Sequence, residues 1–77
     1  MSQLPSLSSR RILQALRKAG FVEAPKRGKG SHLAFVRQDS SGTRLVIVPH
    51  GKDIPRGTVL AILEQAGLSR EEFLALL

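Results

Sequence analysis

Glycine and proline punctuate this chain more than any other feature of its sequence. Gly20, Pro25, Gly28, Gly30, Gly42, Pro49, Gly51, Pro55 and Gly67 cut it into intervals that admit only short helices and strands. A chain of 77 residues buries about 60% of the surface its unfolded form exposes, enough for one thin core and no second lobe. A single domain spanning residues 1–77 is therefore expected, with any active site on its surface. Cysteine is absent, which removes disulfide staples and thiolate metal ligands. Two histidines and six scattered acids give no zinc or calcium spacing, so neither a metal nor another cofactor is expected.

Between the breaks, apolar spacing names the elements. Ser8 or Ser9 can cap a first helix carrying Ile12, Leu13, Leu16 and Ala19 on one side, with Gly20 as its stop and Phe21 folding back. Phe21 to Ala24 is a weak candidate strand, Leu33 to Arg37 a better one, and Leu45 to Val48 a third, with Asp39-Ser40-Ser41-Gly42 as the hairpin turn between the last two. A helix beginning between Pro55 and Thr58 buries Val59, Ile62, Leu63 and Ala66 and stops at Gly67; Ser69 and Glu72 form a capping box for a short final helix. The fold class is α+β, an αβββα order with a terminal helical turn. A three-stranded antiparallel sheet covered on one face by helices is its compact solution.

Charge is unevenly distributed along this order. The net +6 conceals a first half, residues 1–37, in which Arg10, Arg11, Arg17, Lys18, Lys26, Arg27, Lys29 and Arg37 oppose Glu23 alone, a net of +7. Residues 38–77 set four cations against five acids, a net of −1. Such segregation favours a polyanionic partner over a mere solubility charge. Met1 to Leu7 lacks the apolar stretch of a signal peptide, and no segment approaches the roughly 18 apolar residues of a membrane span, so a cytoplasmic protein is expected.

The chemistry available is narrow. There is no nucleophile elbow, Glu71 and Glu72 are adjacent helical residues that suit capping and surface roles, and Gly28-Lys29-Gly30-Ser31 is too short for a Walker loop. His32 stands out. It opens the second strand directly after the basic glycine loop Lys26-Arg27-Gly28-Lys29-Gly30-Ser31, and a period of two sends it, with Ala34 and Val36, away from the face where Leu33 and Phe35 pack on the helices. RNA cleavage needs little beyond this, because the ribose 2′-hydroxyl can serve as internal nucleophile. The protein must move two protons and neutralise the phosphorane. His32 would be the acid or base, with Lys26, Arg27, Lys29 and Arg37 as charge stabilisers. A loop histidine without a role is the bland alternative, and for His50, between a proline and a glycine, a turn or cap role comes first. Stacking of single-stranded bases is disfavoured, since the chain has no Trp or Tyr and only three Phe, all with core assignments. A non-catalytic RNA-binding module that blocks translation by occupancy, and a basic face that binds only an acidic protein, remain as alternatives.

Four ordered blocks also resemble a known family. Arg11 to Phe21, Gly30-Ser31-His32-Leu33-Ala34-Phe35, Val48-Pro49-His50-Gly51 and Arg56 to Leu68 together are similar to the HicA-type mRNA interferase toxins of toxin–antitoxin systems. The resemblance implies a double-stranded-RNA-binding-like fold, cleavage of mRNA that inhibits translation and growth, and neutralisation by a HicB-type antitoxin. It carries the family's catalytic histidine to His32, with Ser31 in its positioning loop on the RNA-binding side. The loop from Phe21 to Gly30 is longer than usual for the family and the stretch from His50 to Gly57 shorter, and both departures leave His32 in place.

Overall fold

A computed structural model describes residues 6–25, 30 and 32–77. Their order is α1 (Ser9–Lys18), β1 (Val22–Glu23), β2 (His32–Asp39), β3 (Gly42–Pro49), α2 (Arg56–Ala66) and α3 (Arg70–Leu76), with the strands forming one antiparallel sheet in the order β1-β2-β3. The expected αβββα succession with a terminal helix is the observed one.

Helices α1 and α3 start on side-chain caps, α2 starts at Pro55 without one, and α1 and α2 stop in glycine turns. Ser8, in extended backbone, accepts the Arg11 N–H on its side-chain oxygen at 3.2 Å, which relieves one of the orphan donors of α1. At the other end Gly20 takes φ +96°, its N–H reaches the Arg17 carbonyl at 3.0 Å, and the Phe21 N–H returns to the Leu16 carbonyl at 2.9 Å. This reverse turn buries Phe21 against the helix it terminates. Phe21 is thus consumed by the helix stop, and β1 is correspondingly shorter than the Phe21–Ala24 expected. Within α1 the buried residues are Ile12, Ala15 and Leu16, while Ala19 is the C-cap and Leu13 only flanks the core. Helix α2 buries Val59, Ile62, Leu63 and Ala66 and ends in the same kind of turn at Gly67, and α3 opens on the reciprocal Ser69–Glu72 capping box.

The hairpin zips β2 to β3 along eight residues each, from Asp39 opposite Gly42 to His32 opposite Pro49. Ser40 and Ser41 keep negative φ, and Gly42, at φ +124°, supplies the backbone conformation that turns the chain into β3. The Asp39 carboxylate braces the turn by accepting the Ser41 N–H at 2.8 Å and hydroxyl at 2.7 Å. Directly opposed residues share a face. Phe35, Val46 and Val48 lie on the helix side, in one core cluster with Ile12, Leu16, Val59, Ile62 and Phe73. The other face carries Val22 at 61% exposure, the half-buried Val36, Leu45 and Ile47, and Ala34, which at 1% exposure is buried outside that cluster.

After β3 the chain is stitched back to the start of α1. The Ser9 N–H and hydroxyl donate to the Gly51 carbonyl at 2.9 and 3.1 Å, and the Ile54 N–H donates to the Leu7 carbonyl at 2.7 Å. Leu7 and Ile54 are both buried. Gly51 permits this closeness, because a Cβ there would stand 2.9 Å from Ile54 Cδ1. Among the described residues, no helix is long and apolar enough to cross a membrane.

Candidate functional site

His32 is the first residue of β2 and is exposed. Strand alternation puts it on the helix-free face with Ala34 and Val36, as its sequence position implies. Across the sheet it faces Pro49, whose ring has no N–H to donate, at the last position of β3. His50 follows immediately and is exposed as well. The backbone positions of both histidines therefore lie at the same end of the sheet, although they are 18 positions apart in sequence.

Arg37 is somewhere else. It lies five residues further along the same strand, about 16 Å away at the usual rise per residue, and alternation turns it to the helix side. There its Nη1 donates to the Ala19 carbonyl at 2.9 Å, its guanidinium sits 4.8 Å from the centre of the Phe21 ring, and Nη2 is 4.0 Å from Asp39 Oδ2. It thereby satisfies a carbonyl at the C-terminal end of α1, where a cation also complements the helix dipole. Lys26, Arg27, Lys29 and Ser31 lie outside the described residues. His32 and Arg37 are thus the two anticipated site residues whose positions are defined, and they are not brought together.

Asp39 and Ser41 of the expected turn, joined by Arg44, form a connected cluster at the opposite end of the hairpin. Asp39 accepts from Arg44 Nε at 2.9 Å as well as from Ser41. The Ser41 hydroxyl and N–H, then Arg44, stabilise the ionised carboxylate and hold its pKa down at about 2. The Arg44 guanidinium in turn packs over Gly67, so close that a Cβ on that glycine would lie 2.6 Å from Cζ. This cluster ties the hairpin to the end of α2. Its signal in the sequence was faint: one acid and two arginines around a turn, without the contact to Gly67 that gives them a common purpose.

The remaining cations of α1 divide in a similar way. Arg10 and Arg11 are exposed on its first turn, whereas Arg17 lies 5.5 Å from the Phe35 ring centre and Lys18 Nζ donates to the Leu76 carbonyl at 3.2 Å. Among the described residues no group of three or more His, Cys, Asp or Glu is arranged to hold a metal ion.

The family model for the HicA toxin of bacterial toxin–antitoxin systems matches residues 9–68. The chain belongs to the HicA toxin family. None of the curated proteins compared with it matches. The HicA match begins at the first residue of α1 and ends just past the α2 stop, so it takes in the whole sheet and the His32 end. Helix α3 lies beyond it, yet Phe73 from that helix is fully buried in the core. A HicA toxin acts within a toxin–antitoxin pair, so an antitoxin is its partner.

Proposed function

We propose that this HicA toxin is an endoribonuclease that cleaves mRNA, with His32 as a general acid or base. The exposed imidazole at the open end of β2, in a family of toxins, is the observation that carries this. The 2′-hydroxyl attacks the adjacent phosphorus, the bond to the 5′-oxygen breaks, and a 2′,3′-cyclic phosphate and a 5′-hydroxyl result. One proton leaves the 2′-oxygen and one reaches the 5′-oxygen, so neither a metal nor a cofactor is required for balance.

Lys26, Arg27 and Lys29 would neutralise the RNA backbone beside His32, with Ser31 next to the imidazole. Sequence supports this role, since all three cations belong to the strongly basic first half and Lys29 is three residues from His32. Arg37 would contribute to the field rather than to a phosphate contact, given its engagement with Ala19, Phe21 and Asp39. The protein would act in the cytoplasm, where mRNA is translated. A HicB-type antitoxin would silence it by covering the His32 end and its cations, because a surface site is blocked most directly by occlusion.

Purified protein should cut single-stranded RNA in excess EDTA. His32→Ala should bind the same RNA with parental affinity and cut it at least about a hundredfold more slowly, the scale of lost acid or base catalysis. If that variant cleaves undiminished, His32 has no chemical role. If it cuts nothing but inhibits translation as strongly as the parent, the toxin works by occupancy.

A further inference from the structure

His50 is a titratable side chain at the His32 end of the sheet that the mechanism above leaves idle. Its sequence setting, between Pro49 and Gly51, favoured a turn or cap histidine. Among the described residues, however, no hydrogen bond or ion pair gives its imidazole such a role. Meanwhile both its neighbours are held in place. Pro49 is the last residue of β3, directly opposite His32. Gly51 is clasped by Ser9, donating its N–H to Ser9 Oγ at 3.3 Å and accepting the Ser9 N–H at 2.9 Å. His50 thus leaves a fixed stretch of backbone, with its Cα about 6 Å from that of His32 given the spacing of antiparallel strands.

We propose that His50 is a second catalytic residue, and that His32 and His50 are the acid–base pair of the cleavage reaction. The inference rests on the nuclease reading of His32. In-line displacement at phosphorus places the entering 2′-oxygen and the departing 5′-oxygen on opposite sides of the phosphorus. A single imidazole cannot serve both oxygens at once. Two imidazoles one position out of step across the end of an antiparallel pair can flank a phosphate laid over that end. One accepts the proton of the 2′-hydroxyl as its oxygen bonds to phosphorus, and the other donates a proton to the 5′-oxygen as that bond breaks. Over one turnover the pair exchanges protonation states, which solvent then restores, with no oxidant, reductant or metal consumed.

The discriminating probe is an RNA oligonucleotide in which the scissile 5′-oxygen is replaced by sulfur. A thiolate leaves without being protonated, so this substrate bypasses the acid and not the base. The full-length protein, His32→Gln and His50→Gln are compared on the ordinary and the sulfur-containing RNA under single-turnover conditions, with RNA affinity and thermal melting measured in parallel. Both variants should melt like the parent and bind RNA within about threefold of it, and both should cleave ordinary RNA at least about a hundredfold more slowly. One of the two, and only one, should recover to within about tenfold of the parent on the sulfur substrate. If His50→Gln cleaves ordinary RNA within about threefold of the parent while His32→Gln is inactive, the pair is refuted and the nuclease survives. Loss of RNA affinity matching the loss of rate in His50→Gln, or recovery of neither variant, also refutes it. No cleavage by the parent overturns the nuclease and the pair together.

Discussion

Gly67→Ala should destabilise the domain by about 1–2 kcal/mol, and two separable effects account for it. Gly67 ends α2 at φ +70° and ψ +28°, where a Cβ costs about 1–2 kcal/mol. The stiffer unfolded chain of the alanine variant returns about 0.4–1 kcal/mol of that. The second effect is contact: the new methyl would stand 2.6 Å from Arg44 Cζ and 2.8 Å from Nη1, so the guanidinium must swing away. Doing so breaks its 2.9 Å bond to Asp39, a solvent-screened pair whose loss adds little. For a domain of this size the sum corresponds to a melting point lower by about 5–15 °C. Thermal and urea melts followed by circular dichroism measure it. Gly67→Asn separates the effects, since asparagine tolerates the left-handed conformation but crowds Arg44 equally. In a double-mutant cycle, Gly67→Ala combined with Arg44→Ala should cost less than the two changes added. Strict additivity, or a Gly67→Ala melt unchanged within a degree, would refute the contact between hairpin and helix.

Asp39 and the basic loop give two more tests. The folded-state pKa of Asp39, about 2, is below its ordinary 3.8, so its contribution to stability is complete above pH 3.8 and lost as pH falls towards 2; Asp39→Asn should flatten the stability–pH curve in that window, read from urea midpoints. Neutralising Lys26, Arg27 and Lys29 together should weaken RNA binding and make the slope of log K against log salt shallower by about 2, at about 0.7 for each phosphate contact to a single strand; an unchanged slope means that these three side chains do not touch phosphate.

How far the fold could be read from the sequence depended on whether burial or backbone decided the matter. Val59, Ile62, Leu63 and Ala66 show helical spacing, and all four are buried. Ser69 and Glu72 form a box whose two ends are close in sequence, so it too was legible. The sheet extends beyond the apolar runs that mark it in the sequence. Arg37, Gln38 and Asp39 pair with Arg44, Thr43 and Gly42 through main-chain groups, and polar side chains on a solvated hairpin give no sign of that. At the site, the exposed strand-end position of His32 followed from alternation alone. The turn at Asp39–Gly42 also fixes the register, and counting outward from it sets His32 opposite Pro49. The proximity of His50 was therefore latent in the sequence. Arg37 was anticipated as an RNA contact, but Ala19 and Phe21, the groups that hold it, come from the reverse turn after α1, which no strand pattern displays.

The clasp between Ser9 and Gly51 joins residues 42 positions apart, and the Leu7–Ile54 bridge beside it closes a comparable loop. Such closures carry a large entropic cost, recovered only when the intervening sheet and helix are already packed. The segment bearing His50 is therefore held in place only in the folded domain. An incomplete chain that stops short of Ile54 holds both histidines but not the seam that fixes them relative to each other. Assembly of the proposed site would in this sense test completeness: a nascent or clipped toxin would carry the residues for the chemistry without their arrangement.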